Sequence, residues 1–186
     1  MTLQETRAPT TAVERLTQFG GPDLDDLCDA AESAIEADGG FGWLSPPPRE
    51  IMESYWRGVL LVPQRELFVA RLDGTVAGSA QLALPARNNE SQAKTGTISS
   101  VFMAPWARGY GLARMLMTAI EEAALERGLE VLYLDVRESQ LRAIELYEAM
   151  GYVRWGTNPY YAQVEGRWLA GHFFYKLLQP AKPQST

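Results

Sequence analysis

A glycine-containing turn, Arg108-Gly109-Tyr110-Gly111, lies between a strand-like apolar run and an amphipathic helical pattern. A strand that leads through such a turn into a helix directs several backbone N–H groups towards one point, and the helix dipole adds partial positive charge there. The glycines let the backbone approach an anion, and the arginine adds a fixed charge that can pair with phosphate oxygens. The pattern therefore predicts a site for a phosphate or a pyrophosphate.

Two common nucleotide-binding motifs are excluded by the residues around this turn. The dinucleotide fingerprint G-x-G-x-x-G requires a third glycine, where this chain has Arg114. A P-loop requires Gly-Lys followed by Ser or Thr, and the sequence contains no such tripeptide. The turn alone is also compatible with a helix start that binds no ligand. The flanking sequence distinguishes the two interpretations.

The flanking sequence resembles the GCN5-related N-acetyltransferase (GNAT) superfamily in two places. Arg-x-x-Gly-x-Ala at residues 108–113 is similar to the loop that binds the acetyl-CoA pyrophosphate, and Pro105 separates it from the preceding strand as in the family. The stretch Arg142-Ala-Ile-Glu-Leu-Tyr-Glu-Ala-Met-Gly-Tyr152 resembles the second family signature, a helix that carries a tyrosine and ends in Gly-aromatic. The two signatures have the family's separation, and the resemblance extends over about residues 75–178. It implies an enzyme that transfers acetyl from acetyl-CoA directly to an amine.

The resemblance also implies where the acetyl-CoA donor binds. In the family two parallel strands, here residues 97–103 and 130–136, separate, and the pantetheine arm lies between them. Backbone groups of Val101 and Met103 would bind the pantetheine amides. The full set of implied cofactor-binding residues is Val101, Met103, Arg108, Gly109, Tyr110, Gly111, Leu112, Ala113, Arg114, Gln140 and Ala143. At Gln140 relatives usually carry Asn, so the longer side chain departs from the family pattern.

Tyr147 matches the tyrosine that acts as general acid for the CoA sulfur in the family. A phenol with an ordinary pKa of about 10 can protonate a departing thiolate. The alternative is a core aromatic, because Ile144, Tyr147 and Met150 fall on one helical face. The match of the surrounding residues favours the catalytic role.

Asp135 is the carboxylate best placed to serve the acceptor amine. In Leu132-Tyr133-Leu134-Asp135-Val136, strand alternation puts Tyr133 and Asp135 on the face opposite the aliphatic residues. A carboxylate near the end of a strand beside the cofactor could hold the substrate ammonium or accept its proton through water. Capping of the following turn, or pairing with Arg137, is an equally open alternative.

The remaining candidates lie on the acceptor side: Ser99, Ser100, Trp43, Tyr160 and His172. The strand before the loop lacks the glutamate that many relatives use as a base, and its two serines suggest a water relay instead. His172 is the single histidine, and no hydrolase motif surrounds it. Tyr161 is a further aromatic residue that could face the acceptor. No metal site is expected.

Several stretches resemble the tabtoxin-resistance acetyltransferases, among them Gly39-Gly40-Phe41-Gly42-Trp43 and Tyr160-Tyr-Ala-x-x-x-Gly-Arg167. This resemblance implies a small amino-acid-like or antibiotic-like amine as acceptor. A protein or peptide acetyltransferase, acting on lysine or an N terminus, is the second hypothesis and requires an open groove. Residues 46–56 and a predicted loop at 158–166 are bulky enough to close one. A non-catalytic CoA-binding regulatory domain is the third, and Tyr147 beside an intact loop argues against it.

Composition fits one domain at residues 11–178 between flexible ends at 1–10 and 179–186. The chain has 186 residues, of which 46% are hydrophobic, enough for one full core. A net charge of −6 argues against nucleic-acid and anionic-membrane partners. The single cysteine, Cys28, excludes an internal disulfide and a cysteine-based metal site, and no signal peptide is visible. We therefore expect a cytoplasmic enzyme with a small-molecule partner, and a homodimer is compatible with the sequence.

Hydrophobic periodicity and turn residues predict an α/β (α+β) chain with a mixed sheet. The resemblance implies the GNAT fold, with about six to seven strands flanked by about four helices. Asp73-Gly74 predicts a hairpin between strands at 67–72 and 76–84. A strand–helix–strand crossover should make the strands at 97–103 and 130–136 parallel. Predicted helices are 22–37, ended by Gly39-Gly40, then 49–61, one from 112 that Gly128 closes, and 140–150. The remaining strands are predicted at 11–19, 152–155 and 168–178.

Overall fold

The computed structural model describes residues 7–37 and 42–178. The expected loose ends at residues 1–6 and 179–186, and the Gly39-Gly40-Phe41 stretch, lie outside this range. Within it, the N-terminal segment is anchored at Thr10, whose N–H donates to the Asp73 carboxylate at 2.8 Å and whose carbonyl accepts from the Asp73 N–H at 2.8 Å.

One mixed sheet with helices on both faces confirms the predicted fold class. Its seven strands stand in the order β1-β2-β3-β4-β5-β7-β6, and all neighbours are antiparallel except β4 and β5. The strands are β1 (Thr11–Leu16), β2 (Arg65–Leu72), β3 (Thr75–Ala83), β4 (Thr95–Met103), β5 (Val131–Arg137), β6 (Val153–Val164) and β7 (Arg167–Leu177). The helices are α1 (Asp23–Glu36), α2 (Arg49–Leu61), α3 (Leu112–Glu126) and α4 (Leu141–Ala149), with short 3-10 turns at Glu90–Gln92 and Pro105–Ala107.

Strand alternation divides the core into two layers. On β2, Phe68 and Ala70 pack with α3 and α4, whereas Leu67 and Val69 pack with α1 and α2. The predicted limits of α2 are those observed, and the Asp73-Gly74 hairpin is present with positive φ at both turn residues. Gly128 has φ +73° just after α3, as expected of the residue that ends it.

One predicted loop is wrong. Residues 158–166 were expected to be irregular, but β6 continues to Val164 and pairs with β7 up to a turn at Glu165 and Gly166. The register shifts between Asn158 and Ala162, so residues 159–161 bulge out of the ladder. Pro159 lies within this bulge and has no backbone N–H to donate to a neighbouring strand. Because proline is rare inside strands, the sequence predicts a loop here.

The parallel strands β4 and β5 separate after a short paired segment, as expected. Thr95, Gly96 and Thr97 pair with residues 131–133, and between these two fully described strands the pairing stops there. A bulge in β4 accompanies the separation, because residues 99–102 of β4 span only Ser79 to Gln81 on β3. Ser100 in this bulge has φ +51°. Bulges bend a strand and occur often beside active sites.

Candidate active site

The N terminus of α3 opens into a cavity of about 580 Å³. Gly111 caps the helix with φ +76° and, as a glycine, brings no side chain to cap the first turn. The first backbone N–H groups of an α-helix have no partner within the helix. Together with Arg108 and Arg114, which line the cavity, they form a positively polarised surface.

The cavity collects the residues predicted to bind the donor. Nearly all of that set lines it: Val101, Met103, Arg108, Gly109, Gly111, Leu112, Ala113, Arg114, Gln140 and Ala143. Tyr110 is the exception, with 46% of its surface exposed and no part in the lining. Among the residues that the structure describes, a Cβ at Gly109 or Gly111 would meet no atom within 4 Å. Their positive φ values therefore explain glycine at these positions.

A second cavity of about 410 Å³ is lined by residues from the separated ends of β4 and β5. Residues 98–101 form one wall and residues 134–137 the other. The two cavities share Val101, Gln140, Ala143 and Tyr147. The two cavities therefore adjoin along Val101 of β4 and along Gln140, Ala143 and Tyr147 at α4. We call the larger one the donor cavity and the smaller one the acceptor cavity.

Tyr147 is both a core residue and a wall of each cavity. Its side chain is 3% exposed and its ring lies near those of Tyr152 and Phe174, with centroids 6.0 and 6.1 Å away. Burial raises the pKa of the phenol well above its ordinary value, and the nearby Asp135 charge raises it further. The hydroxyl is therefore protonated at neutral pH and able to donate.

Asp135 faces the acceptor cavity and accepts a hydrogen bond from the Tyr161 hydroxyl. Burial and this bond raise the pKa of Tyr161, which keeps that phenol protonated as well. Tyr161 reaches the carboxylate by crossing Gly171 on β7, where a Cβ would overlap the tyrosine ring. The predicted alternation on β5 is observed, with Tyr133 and Asp135 exposed between buried Leu132, Leu134 and Val136.

The other acceptor-side candidates do not all reach the cavity. Ser99 and Ser100 line it. Trp43 packs edge-on against Tyr55 with centroids 5.2 Å apart, one residue from Gly42 in the lining. His172 lies within hydrogen-bond distance of Thr157, its Nδ1 2.9 Å from the Thr157 Oγ1, outside the lining.

Of the two adjacent tyrosines in β6, Tyr161 and not Tyr160 enters the acceptor cavity. Tyr160 is 67% exposed and stands at 90° to the Trp168 ring, with centroids 5.9 Å apart. The sequence contains both but gives no reason to choose, because the register shift between Asn158 and Ala162 breaks the two-residue alternation. A glycine opposite in β7, which leaves room for one ring, is the sequence signal that could have identified Tyr161.

Buried Arg137 also lines the acceptor cavity, at the end of β5 and two residues beyond Asp135. Two residues along a strand place side chains on the same face. The cavity lining therefore includes both a carboxylate and a guanidinium. Such a pair of opposite charges complements a zwitterion.

Comparison with known proteins agrees with this geometry. The model of the acetyltransferase (GNAT) family matches residues 27–152. An N-acetyltransferase from the hisH-hisA intergenic region of Azospirillum brasilense is 62% identical over 130 residues, covering 70% of this chain and 77% of the relative. An L-methionine sulfoximine/L-methionine sulfone acetyltransferase from Pseudomonas paraeruginosa is 32% identical over 88 residues, covering 47% of this chain and 51% of the relative. The yncA protein of Salmonella typhimurium, solved with its cofactor acetyl-CoA, superimposes with a TM-score of 0.72 at 19% identity over 95% of this chain and 99% of that one. No helix within residues 7–37 and 42–178 is long and apolar enough to span a membrane.

Proposed function

Because this chain belongs to the GNAT family of acetyltransferases, it is an N-acetyltransferase with acetyl-CoA as donor, and we propose that its acceptor is the primary amine of a small amino-acid-like molecule. The observation that carries the proposal is the acceptor cavity itself. Its volume of about 410 Å³ suits a small molecule, and it meets the donor cavity at Tyr147.

The donor cavity has the chemistry that acetyl-CoA requires. Its helix N terminus, two glycines and two arginines fit a pyrophosphate, and the exposed edge of β4 fits the amides of the pantetheine arm. Acetyl-CoA supplies a thioester whose carbonyl carbon accepts an amine. Holding amine and thioester in contact can itself contribute about 7–11 kcal/mol to the acceleration.

Asp135 is the proposed partner of the acceptor ammonium. A carboxylate on the cavity wall attracts a cationic amine, and the Tyr161 hydroxyl holds one of its oxygens in place. The amine must lose a proton before it attacks, and Asp135 can accept that proton directly or through water. Ser99 lines the opposite wall and can order that water.

Tyr147 is the proposed donor to the leaving sulfur. Attack of the amine nitrogen forms the C–N bond, and the C–S bond then breaks to leave a thiolate. The protonated phenol at the junction of the cavities can donate to that thiolate, which becomes the CoA thiol.

Two findings favour an amino-acid-like acceptor over a polyamine or a protein lysine. The cavity lining includes Asp135 and buried Arg137, and opposite charges suit a molecule with both an ammonium and a carboxylate. One relative is named for two amino-acid derivatives, L-methionine sulfoximine and L-methionine sulfone. A protein acceptor would have to extend out of this cavity.

The experiment is a panel of primary amines assayed for CoA release at saturating acetyl-CoA. The panel contains L-methionine sulfone, other α-amino acids, their decarboxylated amines, spermidine and a lysine-containing peptide. We expect turnover with one or more amino acids to exceed that with the peptide by at least tenfold. Preferential turnover of the peptide or of spermidine would refute the acceptor class, and CoA release without any acetylated amine would refute transfer to an amine.

A further inference from the structure

A chain of four polar side chains runs from the protein surface to the acceptor cavity. The Arg65 Nη1 lies 3.0 Å from the Gln81 Oε1, and the Gln81 Nε2 lies 2.9 Å from the Tyr55 hydroxyl. That hydroxyl lies 3.3 Å from the Ser100 Oγ, and Ser100 lines the cavity. These residues come from β2, β3, α2 and β4, so the chain is assembled only by the fold.

The arginine sets the direction of donation along this chain as far as Tyr55. A guanidinium only donates, so the Gln81 side chain must turn its oxygen towards Arg65 and its nitrogen towards Tyr55. Tyr55 then accepts from Gln81 and has one proton of its own, and the Ser100 oxygen lies within reach of it. A serine hydroxyl that accepts from Tyr55 turns its own proton away, towards the cavity.

The parts of this chain are held in place by packing and by backbone geometry. Gln81 is fully buried, which makes its hydrogen bonds costly to break. The Tyr55 ring packs edge-on between Trp43 and Trp56, with centroids 5.2 and 4.9 Å away. Ser100 lies in the β4 bulge with φ +51°. Few residues other than glycine adopt this conformation, and those that do are often at functional sites.

We propose that Ser100 is a fixed hydrogen-bond donor that recognises an acceptor oxygen close to the reacting amine, and that Tyr55, Gln81 and Arg65 are positioning residues that set its direction. Ser100 lines the acceptor cavity and is followed by Val101, which lines both cavities. In an α-amino acid the oxygen nearest the amine belongs to the carboxylate. This inference rests on the proposed amino-acid-like acceptor and identifies its carboxylate as the group that Ser100 recognises.

The test compares two acceptors that differ only in the carboxylate, L-methionine sulfone and 3-(methylsulfonyl)propylamine. We expect Ser100→Ala to lower kcat/KM for the amino acid about ten- to hundredfold, as for loss of a hydrogen bond to a charged group. The decarboxylated amine should change less than about twofold. Tyr55→Phe keeps the ring contacts and removes only the hydroxyl, so it should reduce the same preference by a smaller factor.

Gln81→Glu tests the direction of the chain. The introduced carboxylate can accept from both Arg65 and Tyr55 but cannot donate to Tyr55. Tyr55 would then turn its proton to the carboxylate, and Ser100 would present a lone pair to the cavity. We expect this variant to lose the preference for the amino acid at least as completely as Ser100→Ala.

Tyr133→Phe is the matched control, since Tyr133 lies on β5 outside both cavity linings. Melting temperature and acetyl-CoA affinity establish that each variant is folded. Equal losses on both acceptors, or an unchanged preference in folded Ser100→Ala or Gln81→Glu, would overturn the inference while leaving the acceptor class intact. A wild-type enzyme that acetylates neither probe nor any other amino acid would refute the proposed function, and this inference with it.

Discussion

Replacing Asp135 by asparagine is the sharpest test of the acceptor side. The substitution preserves shape and still accepts the Tyr161 hydrogen bond, but it removes the charge that would face the ammonium. A hydrogen bond to a charged group contributes about 1.5–3 kcal/mol. With about 1.4 kcal/mol for each factor of ten, the loss in kcat/KM for the amine is about ten- to hundredfold. Because Asp135 is exposed to solvent, we expect a value near the lower end.

The assay is steady-state CoA release at saturating acetyl-CoA with varied acceptor. Binding of the ammonium by Asp135 predicts a raised KM for the acceptor, whereas proton relay predicts a lowered kcat. Acetyl-CoA affinity measured by calorimetry should stay unchanged, because Asp135 does not line the donor cavity. Tyr161→Phe is the control that keeps the charge and the ring, and its effect should be smaller.

A purely structural Asp135 gives the opposite pattern. Capping of the turn after β5 would make Asp135→Asn lower the melting temperature while kcat and KM per folded molecule stay normal. That result would remove Asp135 from the site and refute the reasoning from cavity geometry. Ser99 and Ser100 would then be the remaining candidates on the acceptor side.

Three further substitutions test the rest of the site. Tyr147→Phe should keep acetyl-CoA affinity and lower kcat about 10²- to 10⁴-fold, the range for one general acid; near-normal turnover would make it a packing residue. Gly111→Val should weaken acetyl-CoA binding about tenfold or more in calorimetry, because φ +76° costs a β-branched residue about 1–3 kcal/mol and its side chain enters the donor cavity. Gly74→Val is the control, because it places similar backbone strain in a remote hairpin. It should lower only the melting temperature. Equal acetyl-CoA affinity in the two folded variants would contradict the assignment of the loop to acetyl-CoA binding. Gly171→Ala should push the Tyr161 ring off Asp135 and reduce kcat/KM for the amine as Tyr161→Phe does, and normal amine kinetics would show that this contact is dispensable.

Local sequence was enough to predict the local structure of the glycine loop and the elements beside it. The phosphate loop, the helix after it and the separated parallel strands are consecutive in the chain, and glycine, periodicity and crossover rules act over such distances. Gly109, Gly111 and Arg114 therefore lie where the sequence indicated.

The acceptor side depends on contacts between distant residues, which local rules do not reach. Tyr161 meets Asp135 across 26 residues, and only because Gly171 leaves space and β6 bulges. Tyr55 contacts Ser100 although 45 residues separate them in the chain. The contact depends on a bulge in β4 that the alternation of apolar residues does not predict. The loop at 158–166 was wrongly predicted for the same reason. A proline and a register shift interrupt the alternating pattern by which a strand is recognised.

The short pairing of β4 with β5 also has a consequence for the resistance of the protein to proteolysis. Beyond Thr97 the edge of β4 that faces β5 has no strand partner within the described residues, so its amides should exchange with solvent quickly in the free protein. A donor that occupies this edge acts as a missing strand and should slow their exchange. A ligand present at a hundred times its Kd adds about 2.7 kcal/mol to the free energy of unfolding. The lifetime of the protein against proteases should therefore rise and fall with the supply of acetyl-CoA, so that the enzyme persists when its donor is abundant.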